Sequence, residues 1–276
     1  MGLRMLLADK VSIVTGGTRG IGKSIAEKFA SEGCLVIITG RNSNHGVKVC
    51  EEISKKSGRK ALFVQCDVTK FDQVQSMVQK VINEFGKIDI LVNNAGGTYV
   101  ARTGVGIDET EEEWDSLLNL NLKSVFLCCK AVIPYMKSRK YGKIINISSI
   151  GAIAAGRPNP GYHAAKAGVL GLTIDLAFEL APFNINVNAI LPGPIRTEFW
   201  NNLTKNASDL ASFWNEISKG IPLQRYGLPE DVAGVALCLA SDLFSFVTGA
   251  LIPVSGGIPI PVYVQGATYN FSISKF

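Results

Sequence analysis

Val11-Ser12-Ile13-Val14-Thr15-Gly16-Gly17-Thr18-Arg19-Gly20-Ile21-Gly22 is the stretch that decides the fold. Its first four residues form a short, mostly apolar run that reads as a strand, and an amphipathic pattern over roughly 20–32 begins before the glycines end. A strand therefore turns directly into a helix. Gly16, Gly20 and Gly22 punctuate the turn in the spacing GxxxGxG. That spacing meets the demands of a phosphate-binding turn: a tight bend at Gly16, close backbone approach near Gly20, close helix-strand contact at Gly22, and a helix amino terminus facing the anion. A glycine-rich turn that holds nothing is the alternative, and the rest of the chain bears on the choice.

Six more short runs, mostly β-branched, follow at 35–39, 61–65, 88–92, 143–147, 185–190 and 250–254, bounded by Gly, Asn, Asp or Pro. Their continuous apolar character predicts strands covered on both faces, as in a parallel sheet. Amphipathic stretches lie between them at roughly 43–57, 70–85, 110–138, 161–182 and 229–240; Pro229, Glu230 and Asp231 make a favourable helix start. Strand-helix alternation with about seven strands predicts an α/β fold, a Rossmann-type doubly wound and mostly parallel sheet with helices on both faces. With no linker, repeat or low-complexity run, 1–276 reads as one dinucleotide-binding and catalytic domain. Ligands in such sheets bind at the carboxyl ends of the strands.

Composition narrows the function classes. The 276 residues are 47% hydrophobic, enough for a substantial core, and 28 basic against 23 acidic residues give a net charge of +5. The basic clusters, Lys55, Lys56, Arg59 and Lys60, and Lys137, Arg139, Lys140 and Lys143, carry a single interleaved aromatic, Tyr141. They read as solvated helix ends, not a nucleic-acid surface. Six cysteines without a CxxC pair read as buried thiols in a reducing compartment, and two histidines without metal-ligand spacing argue against a metal site. No signal peptide, myristoylation signal or apolar run of about 20 residues is evident. The expectation is a soluble cytoplasmic protein with no membrane partner.

Two sites of chemistry stand out. An NAD-type site would place Asp or Glu about 20 residues beyond the glycines, at the end of the second strand. Here that position reads Thr39-Gly40-Arg41, so Arg41, with Arg19 in the turn, suits a 2′-phosphate, and NADP(H) is expected over NAD(H). Further on, Ser149 precedes Tyr162 and Lys166 in Tyr-His-Ala-Ala-Lys. A tyrosine is a poor acid or base near neutrality unless a cation lies beside it, and residues four apart share a helix face. Lys166 is expected to favour the ionised form of the Tyr162 phenol.

Together these residues resemble the short-chain dehydrogenase/reductase family, in its compact single-domain branch, which includes 3-oxoacyl reductases and related carbonyl reductases. The resemblance covers about 8–257. It implies cofactor contacts from Gly16, Thr18, Arg19, Gly20, Ile21 and Gly22, from Arg41, and from Asp67 and Val68 beside the adenine. Asn94, Ala95 and Gly96, in Asn-Asn-Ala-Gly after the fourth strand, match the stretch that steadies the sheet beside the adenosine half. Pro192, Gly193, Ile195 and Thr197 match the stretch that packs on nicotinamide. One departure is Ser255, where the family commonly shows aspartate before a glycine pair.

The implied reaction is reversible hydride transfer between nicotinamide and a ketone or secondary alcohol. Ser149 would bind the substrate oxygen, Tyr162 would exchange the proton, Lys166 would hold the nicotinamide ribose and Asn121 would position a relay water. Phe199, Trp200, Phe213, Trp214 and Ile221, within about 197–221, read equally as a substrate cover or as the buried face of a lid helix; Tyr99, Ile150, Ala152 and Ile153 are further pocket candidates. The substrate class stays open. The resemblance also implies a homo-oligomer, tetramer or dimer, through the helices at 110–138 and 161–182, while 258–276 is a carboxyl extension. A catalytically silent NADP(H)-binding sensor is the other reading.

Overall fold

The computed structural model describes residues 5–98, 106–154, 159–198, 200 and 210–258. Seven strands form one parallel sheet in the order β3-β2-β1-β4-β5-β6-β7. They are β1 Val11–Thr15, β2 Leu35–Gly40, β3 Ala61–Gln65, β4 Ile90–Asn93, β5 Gly142–Ile147, β6 Ile185–Pro192 and β7 Leu251–Val254. Every residue of β1, β4, β5 and β6 is buried, which is why these strands read as continuous apolar runs.

Two helical layers cover the sheet. On one face, α1 (Gly20–Ser31) packs closely with the last helix, and α2 (Ser43–Ser57) lies beside it; Phe29, Ile25, Ile53 and Val232 join this core. The other face carries α3 (Phe71–Phe85), α5 (Ser124–Arg139) and α6 (Pro160–Leu180), whose Met77, Val81, Val132, Met136 and Val169 fill the second core. Beyond α7 (Leu210–Lys219) the chain returns to the first face in α8 (Pro229–Ala240).

Two expectations need correction. The stretch at 110–138 is not one regular α-helix: α4 (Glu111–Leu118) widens into a π-helical turn at Asn119–Lys123 before α5 begins. This helical run, Glu111–Arg139, is long and apolar enough by composition to cross a membrane, a property the sequence reading passed over. Half of its apolar window is buried inside the fold, as in a core helix. Second, Lys143 does not lie on a solvated surface. It is 3% exposed, and its ammonium donates to Asn186 Oδ1 at 2.7 Å. Arg139, exposed at the end of α5 as expected, is also a structural cation. With Lys87 it flanks the buried Asp89 carboxylate at 2.9 and 3.1 Å, while Val11 N donates to that carboxylate at 2.9 Å. This ionic knot fastens β1, β4 and α5 at the amino end of the sheet, opposite the glycine turn.

Candidate active site

The glycine turn is shaped by its neighbours across the sheet. Gly16 has φ +64°, a conformation that disfavours a side chain, and a Cβ there would stand 2.9 Å from Ala95 Cα. At Gly22 a Cβ would collide with Asn94 Nδ2 and stand 2.5 Å from Gly16 O. Asn94 occupies that space because its amide donates to Thr15 O at 2.9 Å and Gly16 O at 3.2 Å. Thr15 is the hub: its hydroxyl accepts from Asn94 N and Ala95 N, both at 3.0 Å, and donates to Val92 O at 3.3 Å. Sequence reasoning missed Thr15, whose only signal was a hydroxyl at the last position of an apolar strand.

The amino end of α1 has no acidic residue in its first turn and no side-chain cap from Arg19. Its free N–H groups and positive dipole end suit an anion. Arg19 and Arg41 are both exposed at this rim, and a Cβ at Gly40 would stand 3.2 Å from Thr18 Cγ2. Asp67, one residue beyond Cys66 at the carboxyl end of β3, turns its carboxylate to Thr69, accepting at 3.0 Å from the backbone and 2.7 Å from the hydroxyl. Burial opposes its ionisation, but the Thr69 bonds and the nearby Arg41 guanidinium outweigh it and hold the carboxyl below its ordinary value. Val68 points into the second core and is buried.

The segment after β6 closes toward this turn. Thr197 lies against Gly20, where a Cβ would come within 3.3 Å of its methyl. Ile195 is buried and bridges in parallel to Gly227, while Gly193 N donates to Val254 O at 2.9 Å. Ser255, at the position that departs from the resembled pattern, is buried, and its Cα would stand 2.8 Å from a Cβ on Gly193. The departing residue therefore packs directly on Pro192-Gly193.

Ser149, Tyr162, Lys166 and Asn121 converge at the carboxyl ends of β4 and β5. Ser149, in the turn after β5, accepts from Gly151 N at 3.0 Å, and its hydroxyl acts on the Tyr162 phenol, drawing its proton affinity down. Its neighbour Ser148 instead faces α6 and donates to Lys166 O at 2.8 Å, so only Ser149 is presented to the cleft. The Lys166 ammonium is buried, donates to Ile147 O at 2.8 Å and lies 5.7 Å from the Tyr162 ring centroid. Asn121, fully buried in the π turn, clasps Gly97: its Oδ1 accepts from Gly97 N at 3.0 Å and its Nδ2 donates to Gly97 O at 2.8 Å. Gly96 joins the two sides, since a Cβ there would stand 2.8 Å from Asn121 Oδ1 and 3.3 Å from Lys166 Nζ.

The electrostatics reverse one expectation. Burial raises the Tyr162 phenol above its ordinary 10.0, and the Ser149 hydrogen bond pulls back without overcoming it. The same burial draws Lys166 down from 10.5 to about 8, and its ammonium donates to the Ile147 carbonyl. His163, beside Tyr162, packs against Gly151, and burial lowers its proton affinity.

On the cover, Phe213, Trp214 and Ile221 are all buried in a small core of their own with Trp200 and Tyr226 packed against it. Trp214 meets Phe213 edge-on at 5.4 Å and Tyr226 at 5.0 Å. Of the two readings of these aromatics, the lid's own core is the one realised for Phe213, Trp214 and Ile221. Ile150, Ala152 and Ile153 pack with Leu170 and Leu191 beside the Ser149 turn. Tyr99, Phe199 and the extension beyond Ile258 lie outside the described residues.

Residues 16–259 match the family model described as enoyl-(acyl carrier protein) reductase. The chain is 43% identical to a 3-oxoacyl-[acyl-carrier-protein] reductase, FabG, of Chlamydia trachomatis, over 92% of this chain and 98% of that one. It is 42% identical to the Thermotoga maritima protein of the same name, over 93% and 100%. Among solved structures, levodione reductase superposes with a TM-score of 0.86 at 30% identity, covering 91% of this chain and 98% of that one. A short-chain alcohol dehydrogenase, described as putative, from Sinorhizobium meliloti gives 0.84 at 35%, covering 93% and 98%.

Proposed function

The chain belongs to the short-chain dehydrogenase/reductase family, and from that premise we propose that it is an NADPH-dependent reductase of 3-oxoacyl thioesters with Tyr162 as proton donor. At the coarser level it is an oxidoreductase acting on CH–OH/C=O groups with a nicotinamide cofactor. The observation that carries the finer reading is the convergence of Ser149, Tyr162 and the buried Lys166 at the strand ends, with the Lys166 ammonium 5.7 Å from the phenol ring and the Ser149 hydroxyl acting on the phenol. Two hydroxyls so paired suit one carbonyl oxygen: Ser149 orients it while Tyr162 supplies the proton as it gains charge.

The glycine cradle fits a dinucleotide. Bound there, the nicotinamide supplies or accepts the hydride. Gly16, Thr18, Gly20, Ile21 and Gly22 would admit the pyrophosphate to the amino end of α1, and Asn94 and Ala95 hold that turn through Thr15. Arg19 and Arg41 would grip a 2′-phosphate, which favours NADP(H). Ile195 and Thr197 would meet the carboxamide, and Lys166, released from Ile147 O, the ribose hydroxyls. Asn121 keeps Gly97 fixed and places an amide between that loop and Lys166, where a water relay would start. Similarity of 42–43% to 3-oxoacyl-[acyl-carrier-protein] reductases supports the substrate class. Exposed apolar side chains on the outer faces of α5 and α6, among them Phe126, Ile174 and Phe178, support a homo-oligomer through those helices. The sensor reading has no observation in its favour.

The test follows NADPH and, in parallel, NADH consumption with 3-oxoacyl thioesters, cyclic ketones and keto-sugars. Preferred NADPH-dependent reduction of the thioesters is expected. Tyr162→Phe should lower kcat by roughly 10³-fold or more while NADPH affinity holds. Turnover by the variant at the wild-type rate would overturn the donor role.

A further inference from the structure

Glu109 lies between a short 3-10 turn, Gly106–Asp108, and the first residue pair of α4. Its carboxylate reaches across to the helix that carries Tyr162. Glu109 Oε2 accepts from Gly161 N at 2.7 Å, a contact between residues 52 apart in sequence. The amino end of α6 needs this bond, because its own N-cap residue, Asn159, makes no side-chain cap. Asn159 instead donates its amide to Thr98 Oγ1, so the ends of the 98–109 segment both fasten to the start of α6.

The fit is close. Gly161 is buried, and a Cβ there would stand 2.7 Å from Glu109 Oε2 and 3.1 Å from Leu117 Cδ1. Only glycine leaves room for the carboxylate. Glu109 is itself held from behind, since Thr110 caps α4 by accepting from Glu113 N while Glu113 returns a bond to Thr110 N. The same helical run then widens into the π turn that buries Asn121. A single anion thus joins the helix of Asn121 to the helix of Tyr162 and Lys166, and it sits at the positive end of the α6 dipole.

We propose that Glu109 is a positioning residue for Tyr162, which directly follows the residue Glu109 holds; this rests on the reading of Tyr162 as proton donor. Losing the carboxylate frees the first turn of α6, and the phenol drifts from Ser149. Lys166 stays in place one turn further in, because Ile147 O and Ser148 hold it independently. The defect therefore falls on the chemical step and not on cofactor binding.

The experiment compares Glu109→Ala, Glu109→Gln and Tyr162→Phe in the full-length protein. It reads kcat with an acetoacetyl thioester, the dissociation constant for NADPH, and hydrogen exchange along α6. Glu109→Ala is expected to lower kcat by roughly tenfold or more with NADPH affinity within about twofold, and to speed exchange at 161–164 but not at 169–180. Glu109→Gln keeps an acceptor oxygen and should restore most of both. A wild-type kcat and unchanged exchange in Glu109→Ala would overturn the proposal, as would equal losses of kcat and NADPH affinity. If Tyr162→Phe stays active, the donor reading fails; the exchange data then decide separately whether Glu109 holds the helix.

Discussion

The half of the sheet built from β1 to β4 and the cover built from α7 and its surroundings solve the problem of holding a ligand differently. In the first, the backbone is the instrument: Thr15 and Asn94 brace the turn, and the Asn94 amide already fills the space that Gly16 and Gly22 leave. In the second, bulk is the instrument: Phe213, Trp214, Ile217 and Ile221 make a core separate from both main clusters. A site braced by backbone bonds tolerates almost no added atom. A cover with its own core can change while the sheet beneath stays whole.

Alkaline pH should separate the two regions most. Burial drives Cys34, Cys50 and Cys129 up from 9.0 to about 12, Cys66 to about 11 and Cys128 well upward, and all five lie on the β1-to-α5 side of the chain. A thiol whose folded value is raised lends stability that is intact below its unfolded value and is lost as pH climbs toward the folded one. Stability should thus fall by several kcal/mol from pH 9 upward. Lys143 and Lys166 are drawn down by burial and work the other way up to 10.5, but two groups do not offset five. Urea midpoints at pH 8, 9 and 10 check this; a flat profile would mean that those thiols are not excluded from water.

Trp214→Ala comes next. Emptying that buried site should cost the lid core about 3–5 kcal/mol, seen as faster hydrogen exchange at 210–219. The NADPH dissociation constant should move less than about twofold, since distant sites act independently. A large change in cofactor affinity would erase the distinction between cover and cradle. Gly22→Ala is the smallest perturbation in atoms and should do the reverse. Its methyl meets the Gly16 carbonyl, a clash worth about 1–3 kcal/mol that should weaken NADPH binding about 10- to 100-fold. Isothermal titration reads it, and undiminished affinity would show that the turn yields.

The contrast also explains what was legible in the chain itself. Strands of unbroken β-branched residues, the glycine spacing, and Ser149, Tyr162 and Lys166 are local patterns, and the fold realises them with element ends shifted by a residue or two. What escaped depends on partners distant in sequence. The π turn at Asn121 goes with a side chain that turns to Gly97, and Lys143 is buried because Asn186 waits on the adjacent strand. In sequence Glu109 is one of several acids at 108–113, and only the approach of α6 gives it work. The Tyr162 phenol went the wrong way for a related reason: spacing gave the lysine's direction along the helix, whereas burial, which sequence states poorly, set both proton affinities.

The strand order β3-β2-β1-β4 has a consequence for how this chain is made. A ribosome delivers β1, β2 and β3 first, and they can pair at once, but β1 receives its other neighbour only when Ile90–Asn93 emerges. Until then Val11–Thr15, every side chain of which is destined for the interior, presents an open edge to solvent. Synthesis of the following eighty or so residues is the interval in which a nascent chain of this topology is most exposed to association with its own kind, and in which chaperone cover matters most.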